Sequence, residues 1–146
     1  MERHPIQLIN LHVDELYIKV LDRQKSESEH VPRDFTLTVS RSEYDAESKI
    51  ISVKIQMEMM PDEESPACPF EMRIAVAGHF QVDEERFPIA EINNFAEKNA
   101  PIILIPYIRE HSYSLTVRAG VKPMIFPLIT VPVFKISNVK EKNQSD

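Results

Sequence analysis

The sequence predicts an α+β fold in which a four-stranded antiparallel meander sheet carries helices on one of its faces. Two patterns predict it. Over the first 82 residues apolar and polar residues alternate, as in strands that are buried on one face. After residue 87 the apolar residues recur at helical spacing. The sheet has one apolar face and the helices are rich in isoleucine. Both must bury apolar surface, so we expect them to pack together.

The first strand changes phase midway along its length. Its apolar residues form two sets in opposite phase: Ile9, Leu11 and Val13, then Leu16, Ile18 and Val20. One extra residue exchanges the two faces of a strand, so we predict a β-bulge or a bend near Asp14 and Glu15.

Three further strands alternate more regularly. They are FTLTVS (35–40), KIISVKIQMEMM (49–60) and FEMRIAVAGHFQV (70–82). The short polar turn at 44–48 predicts a hairpin, and the three prolines of 61–69 mark a longer loop.

The helical region begins after residue 87, with Ile89, Ile92, Phe95 and Ala96 at helical spacing. Asn99 is expected to cap a second helix, with Pro101 in its first turn. Pro106 predicts a kink or an irregular turn, and Gly120 predicts the end of the helix. The prolines beyond residue 121 predict an extended segment. We therefore expect one domain over residues 1–136 and a polar tail over 137–146.

The composition excludes several classes of function. The chain has 146 residues and a formal net charge of -6, which argues against a nucleic-acid partner. Its apolar runs are too short for insertion into a membrane. A single cysteine, Cys68, and no leader-like N-terminus predict a cytoplasmic protein without disulfides. Two glycines are too few for a nucleotide-binding loop.

The sequence shows no constellation of residues for catalysis or metal binding. His79 and His111 have no cysteine or carboxylate at metal-ligand spacing, so we expect them to be solvated or packed. The adjacent acids at 63–64 and 84–85 lie in predicted loops, where acids are usually solvated. We therefore predict that the protein is not an enzyme and needs no cofactor or metal.

The most specific motif is the ten-residue run PIILIPYIRE at 101–110. It resembles the signature Pro-x-x-Leu-x-Pro-Tyr-x-Arg-Glu of the SecB family of protein-export chaperones. The matching residues are Pro101, Leu104, Pro106, Tyr107, Arg109 and Glu110. Weaker matches flank the motif at Phe70, Ala77, Gly78, Phe80, Arg118, Pro123 and Pro127. The resemblance runs from residue 8 to residue 131.

This resemblance implies a chaperone that binds unfolded polypeptides without ATP and keeps them competent for translocation. It also implies a homotetramer, a dimer of dimers joined through the long helix. The residues it places at the subunit interface are Ile102, Ile105, Tyr107, Arg109 and Glu110. A helix that is apolar on all sides, as at 102–105, needs such a second partner.

The resemblance places the client groove at the end of the fourth strand and along the segment after the helix. The candidate residues there are Phe80, Phe87, Met124, Phe126 and Ile129. The alternative is that these side chains simply pack on the sheet. At the end of the chain, residues 130–132 depart from the family pattern, which continues into a C-terminal helix.

The resemblance also implies acidic contacts with the export motor SecA on the exposed sheet face. This sequence has Lys19 and Arg73 at two such positions and keeps an acid at Glu15. Since the contact relies on opposite charges, we expect SecA to bind weakly. Two alternatives to a general chaperone therefore stay open: a chaperone dedicated to one partner, such as an antitoxin, and a passive oligomeric adaptor.

Overall fold

A computed structural model of the chain describes residues 1–27, 34–61 and 68–129, and the backbone of 135–138. The strands are β1 (Ile6–Val20), β2 (Thr36–Arg41), β3 (Ile50–Met59), β4 (Phe70–Val82) and β5 (Lys135–Asn138). A single α-helical turn, α1 (Ile92–Asn94), precedes the long helix α2 (Ala100–Arg118). Short 3-10 turns lie at Lys25–Glu27 and Ile89–Glu91, and a π-helical turn lies at Phe95–Asn99. The predicted α+β class is confirmed.

The strands lie in the order β1-β4-β3-β2-β5. β2, β3 and β4 form an antiparallel meander, and β1 is antiparallel to β4. In a simple meander β1 would pair with β2. Here it lies beside β4 instead. Its connection to β2 is too long to behave as a tight hairpin, which would have forced the two strands to be neighbours.

β5 was not predicted from the sequence. This short strand pairs with β2 in parallel, at the edge of the sheet farthest from β1. It extends to Asn138, two residues beyond the expected domain boundary at 136. The departures from the family pattern at 130–132 and the tail at 139–146 lie outside the described residues, as do the acids at 63–64.

β1 contains two shifts of register against β4. One lies between Leu8 and Asn10, and the other lies between Val13 and Glu15. The second confirms the bulge predicted near Asp14. The sequence predicted Ile9 in phase with Leu11 and Val13, but Ile9 lies at the first shift and is 48% exposed. Each shift resets the alternation, so seven other apolar residues of β1 face the same way as the core residues of β4. These residues are Ile6, Leu8, Leu11, Val13, Leu16, Ile18 and Val20.

The core lies between this face of the sheet and α2. Alternate residues of β3 and β4 are fully buried there, and they meet Leu104 and Ile108 of the helix. Gly78 lies where the helix approaches β4. A Cβ atom at this position would lie 2.9 Å from Leu104 Cδ2, which is closer than such atoms normally approach. The absence of a side chain at Gly78 thus permits the close packing of α2 on the sheet.

The helical stretch is continuous from Ile89 to the end of α2. Asn99 has right-handed helical angles (φ -99°, ψ -45°) and makes no capping hydrogen bond through its side chain. The expected cap is therefore wrong, because the preceding residues are already helical and leave no open helix start. The irregular turn is the π-helical one before Pro101, and α2 continues through Pro106.

The helix ends as predicted at Gly120, whose φ is 71°. The N–H of Val121 donates to the carbonyl of Thr116 at 3.2 Å, and the N–H of Gly120 donates to the carbonyl of Val117 at 3.1 Å. These two bonds form a Schellman motif, which needs a left-handed residue at this position and so favours glycine. The motif turns residues 121–129 back toward the helix.

Candidate functional site

Residues 121–129 return along α2 without regular secondary structure, and two polar contacts hold them there. Thr116 Oγ1 accepts a hydrogen bond from the N–H of Met124 at 2.9 Å. Arg109 Nε donates to the carbonyl oxygen of Phe126 at 3.2 Å. The rings of Phe126 and Phe35 lie 4.7 Å apart between centroids. We call residues 121–129 the return segment.

Side chains of the return segment alternate between the core and the surface. Met124 and Phe126 are almost fully buried. Ile125 and Leu128, by contrast, are 73% and 88% exposed. The buried side chains fix the segment in place, and the exposed ones leave apolar area uncovered.

Two grooves run between α2 and the return segment. The first has a volume of about 350 Å³ and is lined by Pro106, Arg109, Glu110, Tyr113, Ser114 and Ile125. The second has a volume of about 220 Å³ and is lined by Ile102, Ile105, Pro106, Arg109, Leu128 and Ile129. Pro106 and Arg109 border both grooves.

The exposed side of α2 adds further apolar area beside these grooves. Ile102 and Tyr113 are close to half exposed, and with Pro106 they flank the return segment. Together with Ile125 and Leu128 these three residues form what we call the client surface. Exposed apolar area of this kind on a soluble protein generally marks a binding surface.

A further row of exposed side chains lies along α2. Ile103, Glu110 and Val117 are spaced by seven residues, which places them on one side of a helix. The two apolar residues are 41% and 49% exposed, so α2 covers the sheet without burying its outer side. We call these three residues the α2 stripe.

The structure distributes the predicted client-binding residues unevenly. Phe80, Met124 and Phe126 are at most 3% exposed and belong to the core. Phe87 and Ile129 are half-buried, and Ile129 borders the second groove. The alternative considered above, packing on the sheet, describes the first three. Side chains alternate within the return segment, so assigning Met124 and Phe126 to the core would have predicted Ile125 as an exposed binding residue.

The predicted interface residues also differ in their exposure. Ile102 and Glu110 are exposed, and Tyr107 is half-buried. Ile105 is 5% exposed, and Arg109 is engaged with the carbonyl of Phe126. These last two residues therefore stabilise the chain's own fold.

The outer face of the sheet, opposite α2, carries the positions considered for a SecA contact. Arg73 Nε donates to Glu15 Oε1 at 2.9 Å, and the Arg73 guanidinium lies 4.2 Å from the centre of the Tyr17 ring. The hydrogen bond that Arg73 donates to Glu15 raises the pKa of Arg73. Lys19 is exposed and lies opposite Glu71, which accepts a hydrogen bond from the Tyr17 hydroxyl at 2.9 Å. The acid at Glu15 is therefore paired within the chain.

The same face brings His79 close to His12, a contact that sequence reasoning missed. His79 Nε2 and His12 Nδ1 lie 3.2 Å apart. His12 Nε2 lies 3.0 Å from Asp14 Oδ1, and Lys54 Nζ lies 3.0 Å from Asp14 Oδ2. The hydrogen bond from Lys54 is the main cause of a lowered pKa at Asp14. The two histidines are far apart in sequence, so only the pairing of β1 with β4 could reveal the contact.

His111 lies elsewhere, with its Nδ1 atom 3.5 Å from Glu110 Oε2. Within the described part of the chain, no group of three or more His, Cys, Asp or Glu side chains is arranged to hold a metal ion. None of the described helices combines the length and the apolarity needed to cross a membrane.

Comparison with solved structures identifies the fold. The chain is similar to the Mycobacterium tuberculosis SecB-like chaperone Rv1957, which was solved in complex with a ChAD peptide from the HigA1 antitoxin Rv1956. The TM-score is 0.67 with 18% identity, and the match covers 88% of this chain and 93% of that one. The fold is therefore SecB-like.

Comparison of sequences does not identify a family, because no family model matches the chain. It is 38% identical over 77 residues to the uncharacterized protein MJ0357 of Methanocaldococcus jannaschii. The match spans 51% of this chain and 48% of that protein, which is about half the length of each.

Proposed function

We propose that this protein is a cytoplasmic, ATP-independent holdase chaperone that binds non-native polypeptides on its client surface. The observation that carries the proposal is the exposure of Ile125 and Leu128 on a segment fixed by buried neighbours and internal hydrogen bonds. The SecB-like neighbour was solved with a bound peptide, which supports a polypeptide ligand.

The form of the surface suits an unfolded chain. Long apolar grooves accept alternate side chains of an extended peptide and are tolerant of its sequence. Arg109 borders both grooves and Glu110 borders the first, which gives the grooves polar rims. No step of such binding requires nucleotide, so holding is passive and depends on the concentration of binding sites.

Aggregation of a chemically unfolded protein, diluted with and without this chain and in the absence of nucleotide, tests the proposal. We expect suppression that scales with the amount of chain and is lost in an Ile125→Asp, Leu128→Asp double variant. Leu21→Asp is the matched control, since Leu21 is 44% exposed and lies outside the client surface. Absence of suppression across several clients would exclude a general holdase. Equal loss in the control would mean that the client surface is wrongly placed.

A second candidate is a chaperone dedicated to one partner, such as an antitoxin. It is favoured by the antitoxin peptide bound to the SecB-like neighbour. A dedicated chaperone would bind one client tightly and leave unrelated unfolded proteins to aggregate. A general one would bind many clients with similar, weak affinity. A passive adaptor would bind none of them.

We also propose that the chain assembles as a homotetramer, a dimer of dimers. The α2 stripe offers one apolar contact. The edge strand β1 offers the other, because Val13 and Leu16 are 40% exposed although they face the core side of the sheet. An edge strand with apolar side chains favours pairing with another strand.

A further inference from the structure

The outer face of the sheet carries a connected row of polar side chains that client binding does not use. It runs from Ser52 on β3 through His79 on β4 to His12 and Asp14 on β1, and it ends at Lys54 on β3. Ser52 Oγ lies 2.6 Å from His79 Nδ1, and the other contacts measure between 3.0 and 3.2 Å. This face is opposite the one covered by α2, so the row is separate from the client surface.

The two histidines face each other through one nitrogen each. His12 Nδ1 and His79 Nε2 are 3.2 Å apart, and their rings are inclined at 30°. A tetrahedral zinc ion with bonds of about 2.0–2.1 Å to nitrogen holds two such atoms about 3.3–3.4 Å apart. A modest rotation of each ring would direct both lone pairs at one ion.

The outward nitrogens of the same rings are engaged by neighbours. His12 Nε2 lies against the carboxylate of Asp14, which accepts a hydrogen bond from the Nε2–H group, so that Nδ1 of the neutral ring carries the lone pair. His79 Nδ1 lies against the hydroxyl of Ser52. Histidines that bind metals usually donate their other N–H to a carboxylate, carbonyl or similar acceptor, which orients the ring. Both histidines here have such a partner.

The hydroxyl of Ser52 also accommodates the change that metal binding requires. With no metal bound, neutral His79 carries its proton on Nε2 and donates it to His12 Nδ1. To bind a metal, His79 must move this proton to Nδ1. A hydroxyl group both donates and accepts hydrogen bonds, so Ser52 can accept from Nδ1 after having donated to it. Neutral His79 thus changes tautomer without a net release of protons.

We propose that His12 and His79 form a two-histidine site for a borderline transition metal ion such as Zn²⁺, Ni²⁺ or Cu²⁺. Imidazole nitrogen suits these ions rather than Mg²⁺ or Ca²⁺. No third His, Cys, Asp or Glu of the described residues completes the cluster, so water takes the remaining coordination positions. Asp14 and Ser52 are positioning residues.

The position of the site indicates what a bound ion would do. Its ligands come from two neighbouring strands, and His12 lies in the short stretch of β1 between the two register shifts. An ion held by both histidines would join the edge strand β1 to β4. The joint would lie between the two register shifts that interrupt the pairing of these strands. Metal binding should therefore stabilise β1 on the sheet.

Isothermal titration of tag-free protein with zinc chloride at about pH 7.5, where histidine is mostly neutral, tests the site directly. We expect one ion per chain. His12→Ala and His79→Ala should each weaken binding by about tenfold or more, and Asp14→Ala by about tenfold. His111→Ala is the matched control and should bind as the unaltered protein does. All of these side chains are partly or fully solvent-accessible, so the variants should keep their circular-dichroism spectra.

A second readout separates this site from weak binding elsewhere. Zinc should raise the melting temperature of the unaltered protein and of His111→Ala, but not that of His12→Ala, since an ion stabilises only the form that holds it. Magnesium should not raise the melting temperature of any of these proteins. Zinc affinity unchanged by loss of His12 or His79, or no uptake at millimolar zinc, would overturn the proposal.

Discussion

Thr116 Oγ1 accepts the backbone N–H of Met124 at 2.9 Å, and Thr116 has no exposed surface. The same hydroxyl donates back to α2, where the carbonyl oxygens of Ser112 and Tyr113 both lie at 2.9 Å. One side chain thus connects the helix to the return segment. Together with the bond from Arg109 to Phe126, it fixes which residues of the segment point outward.

Thr116→Val should destabilise the protein by about 1–3 kcal/mol, because it leaves a buried N–H of Met124 without an acceptor. Thr116→Ser keeps the hydroxyl and is the matched control, with a smaller loss from one missing methyl group. Chemical denaturation measures both. We also expect faster hydrogen exchange at the Met124 amide in the valine variant, and equal stability of the two variants would contradict the assigned hydrogen bond.

Gly78→Val should destabilise the fold by about 1–3 kcal/mol through overpacking. The new Cβ would lie 2.9 Å from Leu104 Cδ2 and 3.1 Å from Leu8 Cδ1, both in a packed environment. The double variant Gly78→Val, Leu104→Ala should lose less free energy of unfolding than the sum of the two single losses, because the shortened side chain makes room for the new one. Additive losses in denaturation experiments would show that Gly78 does not limit the approach of α2.

Ile103→Asp and Val117→Asp should dissociate the proposed tetramer while leaving the monomer folded. Both residues are exposed on the α2 stripe, so a charge there opposes association but not folding. Light scattering reports the mass and circular dichroism reports the fold. Ile105→Asp is a poor test of the interface, because Ile105 is buried and the variant should unfold. An unchanged mass in both stripe variants would argue against this interface.

SecA should bind this chain weakly. The acid at Glu15 is already paired with Arg73, and Lys19 adds an exposed positive charge to the same face. A Lys19→Glu, Arg73→Glu double variant should bind SecA more tightly and with a stronger dependence on salt, because it presents acidic side chains. Lys98→Glu, a charge reversal on the helical side, is the matched control. A micromolar, salt-sensitive complex with the unaltered chain would contradict this expectation.

Parts of the fold could be predicted because their signals are local. The phase change in β1 predicted the bulge beside Asp14, and Gly120 predicted the end of α2. The cap at Asn99 was wrong because tertiary contacts and the preceding turns keep the chain helical there. The π-helical turn has no sequence signal that we recognised.

The candidate site was only partly predictable. The proline-rich composition after Gly120 indicated an extended segment, and the segment does border the grooves. Which of its side chains point outward depends on where Thr116 and Arg109 bind its backbone. Those contacts place Phe126 in the core and Ile125 at the surface.

The sequence by itself determined β1 to β4, the long helix and the apolar faces that join them, because hydrophobic periodicity is a property of neighbouring residues. Only the tertiary structure decided that β1 lies beside β4, that His12 meets His79, and that Arg109 holds the return segment. Each of these relationships joins residues from different elements. Their partners are chosen by strand order and by packing in three dimensions, which no local pattern along the chain encodes.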